Sequence, residues 1–300
     1  MKIATVALPA IALLVCAAAS AQTDAPAPPN PDTRSLPQIT IQAQRDQLQK
    51  RVYDFVRGAT RTDYDESLKR WDVPVCFLVA GFPRDQGEFV LSRLSQIATS
   101  SGVPLAADHC RPNFSVVVSP EPDRLLQRWR QNYSVDMFGA GTAPGEIKAF
   151  ISKYRPVRVW YNTTFVSNQG EPVPPERSAF TNPDGFAALN RRADATRLSR
   201  NDLVSFFSAT VIVDGNRMTG LTIGQLADYI AMVGMTAVNL DTDRGDAPTI
   251  LRLFGTSQQP PPSGLTEWDQ ALLKALYSSD QSSSLQRSNI ALRVAHDVAH

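Results

Sequence analysis

Residues 220–235, GLTIGQLADYIAMVGM, govern how the rest of this chain is read. Ile223, Leu226, Ala227, Ile230, Val233 and Gly234 recur at helical spacing and make one apolar stripe, with Met232 and Met235 away from its centre. A helix apolar almost all round is a buried one. Its least apolar side carries Gln225 and Asp228, three residues apart, with Tyr229 next in line. The segment follows directly on FFSATVIVDGNRMTG (206–220), a β-branched and aromatic run that reads as a strand.

Working outward from that strand–helix pair, VPVCFLVAGF (73–82) reads as a buried strand and GEFVLSRLSQIATSSG (87–102) as a helix ended by Gly102. FSVVVSP (114–120) reads as a strand, DRLLQRWRQNY (123–133) as a helix opened by Pro122 and Asp123, and PVRVWYNTTFVS (156–167) as a longer strand. Polar and arginine-rich stretches, EPVPPERSAFTNPDG (171–185) and NRRADATRLSR (190–200), read as loop. GAGTAPGEIK (139–148) reads as a flexible loop, because its third glycine falls one place late for a dinucleotide turn and no Gly-Lys-Ser/Thr follows. Beyond a loop at 239–264, LTEWDQALLKALYSSD (265–280) and SSLQRSNIALRVAHDVA (283–299) are helical, the first opened by a Thr266–Asp269 capping box. This order predicts an α+β fold: a mixed sheet with helices, then a helical C-terminal part, in a single domain over 47–300.

The N-terminus predicts export. Lys2, the apolar run IATVALPAIALLVCAAA and the small-x-small site at 19–21 form a signal peptide over 1–21, cleaved after Ala21. Val15 is bulkier than lipid attachment at Cys16 normally accepts, which argues against lipidation. Residues 22–46 read as a proline-rich disordered spacer followed by a short strand, ITIQAQR (39–45). The mature chain would be periplasmic or secreted, with no transmembrane segment. Cys76 and Cys110 would then share an oxidising compartment and pair as a disulfide. The alternative is a reactive thiol at Cys110 beside His109.

Several functions are disfavoured by what the chain carries. Cleavage removes Lys2 and leaves 29 Lys and Arg against 29 Asp and Glu, so a formally neutral chain makes nucleic acid an unsuitable partner. No Gly-x-Ser-x-Gly elbow occurs. The three histidines are His109, His296 and His300; the last two, at a chelating i, i+4 spacing, sit at the chain end. Sequons at Asn113, Asn132 and Asn162 read as chance occurrences. Asp228 invites two readings: a carboxylate in a groove, or a buried acid satisfied by Arg217, Arg252 or a backbone N–H.

Five pieces together resemble a family of exported bacterial proteins of unknown function whose fold is thought to be similar to that of zincin metallopeptidases. They are RWDVPVCFLV, the helix–strand pair after it, LTIGQLADYIAMVGM, DAPTILRLF and LTEWDQALLKALYSSDQSS, and they span roughly residues 47–290. In active zincins the corresponding helix carries His-Glu-x-x-His, which places two zinc ligands on one face and a general base beside them. Here Gln225 and Tyr229 hold that spacing with Leu226 in place of the glutamate, and one register back the trio is Gly224, Gln225 and Asp228. Neither set supplies a hydrolytic metal with ligands, so no metal or cofactor is expected.

The resemblance implies a non-catalytic domain that binds a peptide or envelope protein along its former substrate groove, between Gln225, Asp228, Tyr229 and the strand SATVIVDG. One alternative is an enzyme pairing Asp228 with Asp241 or Asp243 as acid and base. Another is an assembly factor that offers ITIQAQR as an added strand.

Overall fold

A computed structural model describes residues 38–60, 67–139, 142–166, 203–242, 244–257 and 259–299. The chain divides into two compact units, Met1–Ala43 and Gln44–His300. Of the first, only the opening turns of helix α1 (Gln38–Ala59) are described. The signal peptide, Cys16, most of the spacer and the stretches 171–185 and 190–200 lie outside the described residues.

The second unit is built on β4 (Leu203–Asp214). This strand pairs parallel with β2 (Phe114–Ser119) and antiparallel with β3 (Val157–Val166), while β2 pairs parallel with the short β1 (Phe77–Ala80). The order is β1-β2-β4-β3, a mixed sheet in an α+β fold. Strand alternation, shifted by one residue at an irregularity beside Phe207, sorts β4 between two cores. Phe206, Ala209, Val211 and Val213 enter a large core on one face, and Ile212 a smaller one on the other. Because both faces are covered, the strand reads as a near-continuous apolar run.

The large core is completed by α1, α2 (Arg84–Ser101), α6 (Ile223–Met235), α7 (Glu267–Ser278) and α8 (Gln286–Asp297), through residues such as Phe55, Leu94, Ile230, Leu272 and Ile290. The smaller core is completed by α3 (Pro122–Asn132), α4 (Ser134–Phe138) and α5 (Pro144–Ser152), through Leu126, Phe138 and Ile147. Among the described residues, no helix is long and apolar enough to cross a membrane. Cys76 and Cys110 form a disulfide with Cα atoms 6.0 Å apart, so Cys110 is not a free thiol.

Three expectations need correction. Residues 39–45 are helical, not a strand. Only Ile39 and Ile41 alternate there, whereas the Gln, Ala, Arg and Leu residues that follow are good helix formers. Val52, Phe55, Val56 and Ala59 then bury one face of the same helix. The stretch 139–148 is not all loop, because α5 begins at Pro144. Proline at the first turn, Glu146 in the first turn and burial of Ile147 are enough to start a helix beside the glycines. The first strand is also shorter and less buried than 73–82 suggests: it occupies the sheet edge, and Leu78 is 44% exposed.

Helix α6 is fixed at both ends. At its N-terminus Thr222 and Gln225 form a reciprocal capping box. At its C-terminus the chain turns extended at Thr236, without a left-handed cap, so four buried carbonyls need outside donors. Thr236 Oγ1 donates to Met232 O at 2.7 Å, and the Tyr161 hydroxyl to Val233 O. Trp71 Nε1 donates to Gly234 O at 2.9 Å, and the Tyr277 hydroxyl to Met235 O at 2.7 Å. Three aromatic side chains from β3, the segment before β1 and α7 thus close one helix end and bind these elements to it.

The Phe114 ring lies so close to α6 that a Cβ at Gly234 would sit 1.9 Å from its Cζ. Propensity alone says that Gly234→Ala should stabilise the helix by about 1 kcal/mol. The contact reverses the sign: Phe114 is fully buried beside Trp71 and Phe77 and has nowhere to go. Gly234→Ala is expected to lower stability by about 1–3 kcal/mol. In denaturant titrations the additional change Phe114→Leu should recover part of that loss. A stabilised single variant would show that the ring and the helix separate freely.

Candidate functional site

The three candidate groove residues sit within one and a half turns of α6 and are spent differently. Gln225 is taken up by the N-terminal cap, and its Nε2 donates to Pro262 O at 2.8 Å. This amide therefore pins the 259–264 segment to the helix.

Asp228 is 2% exposed and fully engaged. Arg93 of α2 meets it with two parallel bonds, Nε to Oδ1 at 2.6 Å and Nη2 to Oδ2 at 3.0 Å. The Leu265 N–H also donates to Oδ2, at 2.7 Å. Gly264 makes that approach possible, since a Cβ there would stand 2.7 Å from Oδ2. The expected partners Arg217 and Arg252 are therefore incorrect. Arg217 lies over the Tyr154 ring at 5.2 Å, and Arg252 faces elsewhere. Nothing in the sequence marks Arg93 as this partner, because the two residues stand 135 positions apart on different helices. The bonds to Asp228 hold its guanidinium pKa above the ordinary value.

Tyr229 is the candidate that reaches an opening. Its ring packs edge-on against Phe254 at 4.9 Å, and it lines a cleft of about 440 Å³ between the start of β3, residues 240–242, 244 and 245, and the stretch 251–257. Burial pushes its hydroxyl up to about 12, against the pull of Arg244 and Arg155, so it stays protonated at neutral pH. The cleft is cationic: Arg155, Arg244 and Arg252 line it against the carboxylate of Asp241. Asp241 accepts from Lys153 and Arg155, which hold its carboxyl below the usual range. Arg244 donates to Gly58 O and Asn239 O. No sequence motif marks this cleft, because its arginines come from positions 155, 244 and 252.

No family model, no curated protein and no solved structure matches this chain.

The site's chemistry is accordingly read from its own residues. A general acid needs a carboxyl with a raised pKa and access to substrate. Asp228 is closed in by Arg93 and the loop before α7, and Asp241 is held ionised. Asp269 is raised by burial, but its oxygens cap the N-terminus of α7 and accept from Thr249, Ile250 and Thr266. Asp243 lies outside the described residues. Among the described residues no three His, Cys, Asp or Glu side chains gather as a metal-holding group. Two of the sequons are structural: Asn113 bonds to Pro74 O and the Cys76 N–H, and Asn162 to Met137 O, Ser208 and Trp160.

Proposed function

We infer that this chain is an exported, non-catalytic binding domain that takes a peptide or a segment of an envelope protein, and that the cleft beside Tyr229 is where the segment sits. The degenerate zincin-like scaffold of this reading rests on the sequence resemblance; the cleft rests on geometry. One observation carries it: Tyr229 opens onto a cationic, partly apolar concavity, whereas among the described residues Asp228, Asp241 and Asp269 are committed to arginines, a lysine or a helix cap. A concave site with an apolar wall and a few convergent polar groups is the usual form of a binding pocket. The Cys76–Cys110 disulfide is compatible with the export that the leader predicts.

The reading is tested by placing a photo-crosslinking amino acid at Thr256, exposed at the cleft rim, and in a control at Leu292, 57% exposed on α8. Irradiation in the exporting cell is expected to give discrete polypeptide adducts from position 256 and none of the same mass from 292. Adducts identical from both positions, or none from 256, refute a binding role for the cleft.

A further inference from the structure

Arg252 is the group in this cleft that the fold leaves incomplete. It is 7% exposed, and its Nη atoms donate to Ser257 Oγ at 3.0 Å, Gln259 O at 3.2 Å and Gln259 Oε1 at 3.4 Å. All these acceptors are neutral. Its Nε has no hydrogen-bond partner, and among the described residues it forms no ion pair with a carboxylate. A buried guanidinium without a counter-ion is costly, and a buried donor without an acceptor calls for an explanation. Arg155 brings a further guanidinium to the same lining, and Asp241, the carboxylate among the described lining residues, is already shared with Lys153. Among the described residues the cleft therefore holds one buried guanidinium without a counter-ion, and it has room for an added anion.

The rest of the wall says which kind. Leu240, Phe254 and the Tyr229 ring give the cleft apolar lining beside its arginines, the two rings packed edge-on at 4.9 Å. A small inorganic oxyanion would meet the guanidiniums and leave that lining uncovered. A chain terminus fills both, because its carboxylate sits one bond from a Cα that carries an apolar side chain. A carboxylate takes charge-assisted bonds from guanidinium groups, and capture of a C-terminal carboxylate is an established mode of peptide recognition. We propose that the Arg252 cleft binds the C-terminal carboxylate of a partner polypeptide, with the terminal apolar side chain against Tyr229 and Phe254. The assignment rests on the binding-domain reading above and adds to it the part of the partner that is recognised.

The test uses the mature full-length chain and N-acetylated, dye-labelled hexapeptides ending in leucine or phenylalanine, each as free acid and as C-terminal amide, followed by fluorescence anisotropy. The free acids are expected to bind at least tenfold more tightly than the amides. Arg252→Gln should remove that preference. Because Arg252 also holds Ser257 and Gln259, Thr256→Trp serves as a second variant: it fills the mouth from an exposed position and should abolish acid binding with an unchanged melting temperature. Equal affinity of acid and amide, or undiminished acid binding by Thr256→Trp, overturns the carboxylate assignment. Binding of inorganic phosphate with neither peptide form bound overturns it in favour of a small oxyanion. If it falls while crosslinks from position 256 persist, the binding-domain reading stands; if those crosslinks are absent as well, both fall.

Discussion

Replacing both Cys76 and Cys110 by alanine is expected to destabilise the fold by about 3–4 kcal/mol and to lower its melting temperature by roughly 10 °C, as read by calorimetry against the oxidised parent. The magnitude follows from the 34-residue separation of the two cysteines, which the bond removes from the unfolded chain's freedom. Its location makes the effect more than a general one. Cys76 precedes β1, and Cys110 lies in the loop that leads to β2, so the bond closes the whole β1–α2–β2 crossover at one end. Strand β1 has four residues, one hydrogen-bonded neighbour and a half-exposed Leu78, and it is the part of the sheet with least else to hold it. Without the bond, amide exchange should accelerate first at Phe77–Ala80 and only later in β4. Alanine is the right replacement because Cys76 is 5% exposed, and a serine hydroxyl there would need a partner. An unchanged melting temperature would mean that the crossover is already closed in the unfolded ensemble or held by packing alone.

Physical reasons separate what the sequence disclosed from what it concealed. Periodicity reports burial, so α6, β2, β3 and β4 were legible where their apolar faces meet a core. Capping is a local code, and the Thr266–Asp269 box stood where its spacing put it. At residues 39–45 two alternating isoleucines carried too little information against the helix-forming stretch that continues them. The closure of α6 by Trp71, Tyr161 and Tyr277 was invisible because the donors stand 163, 72 and 42 residues from their acceptors. The cleft was hidden for the same reason. Of its lining, only Tyr229 lies on helix α6, and the arginines that give it charge come from the segment before β3, a loop and the 3-10 turn Ile250–Arg252.

Asp228 is the residue on which binding and catalysis part, and the two partners of its ion pair should respond unequally to removal. Arg93→Ala is expected to cost about 3–5 kcal/mol in denaturant unfolding, because it strands a carboxylate that is 3% exposed. Asp228→Ala should cost less, about 1–3 kcal/mol, chiefly from the Leu265 N–H left without an acceptor. The charge it leaves behind is on Arg93, whose side chain is 36% exposed and can turn to water. The double variant should therefore be more stable than Arg93→Ala alone, since it no longer buries an unpaired charge. Losses that simply add would remove the ion pair from this account, and a stable Asp228→Ala that had lost a turnover measured in the parent would make Asp228 a catalytic carboxylate. The expected order follows from the side chains themselves: the buried acid joins α2, α6 and the entrance to α7, and its charge holds three helices in place.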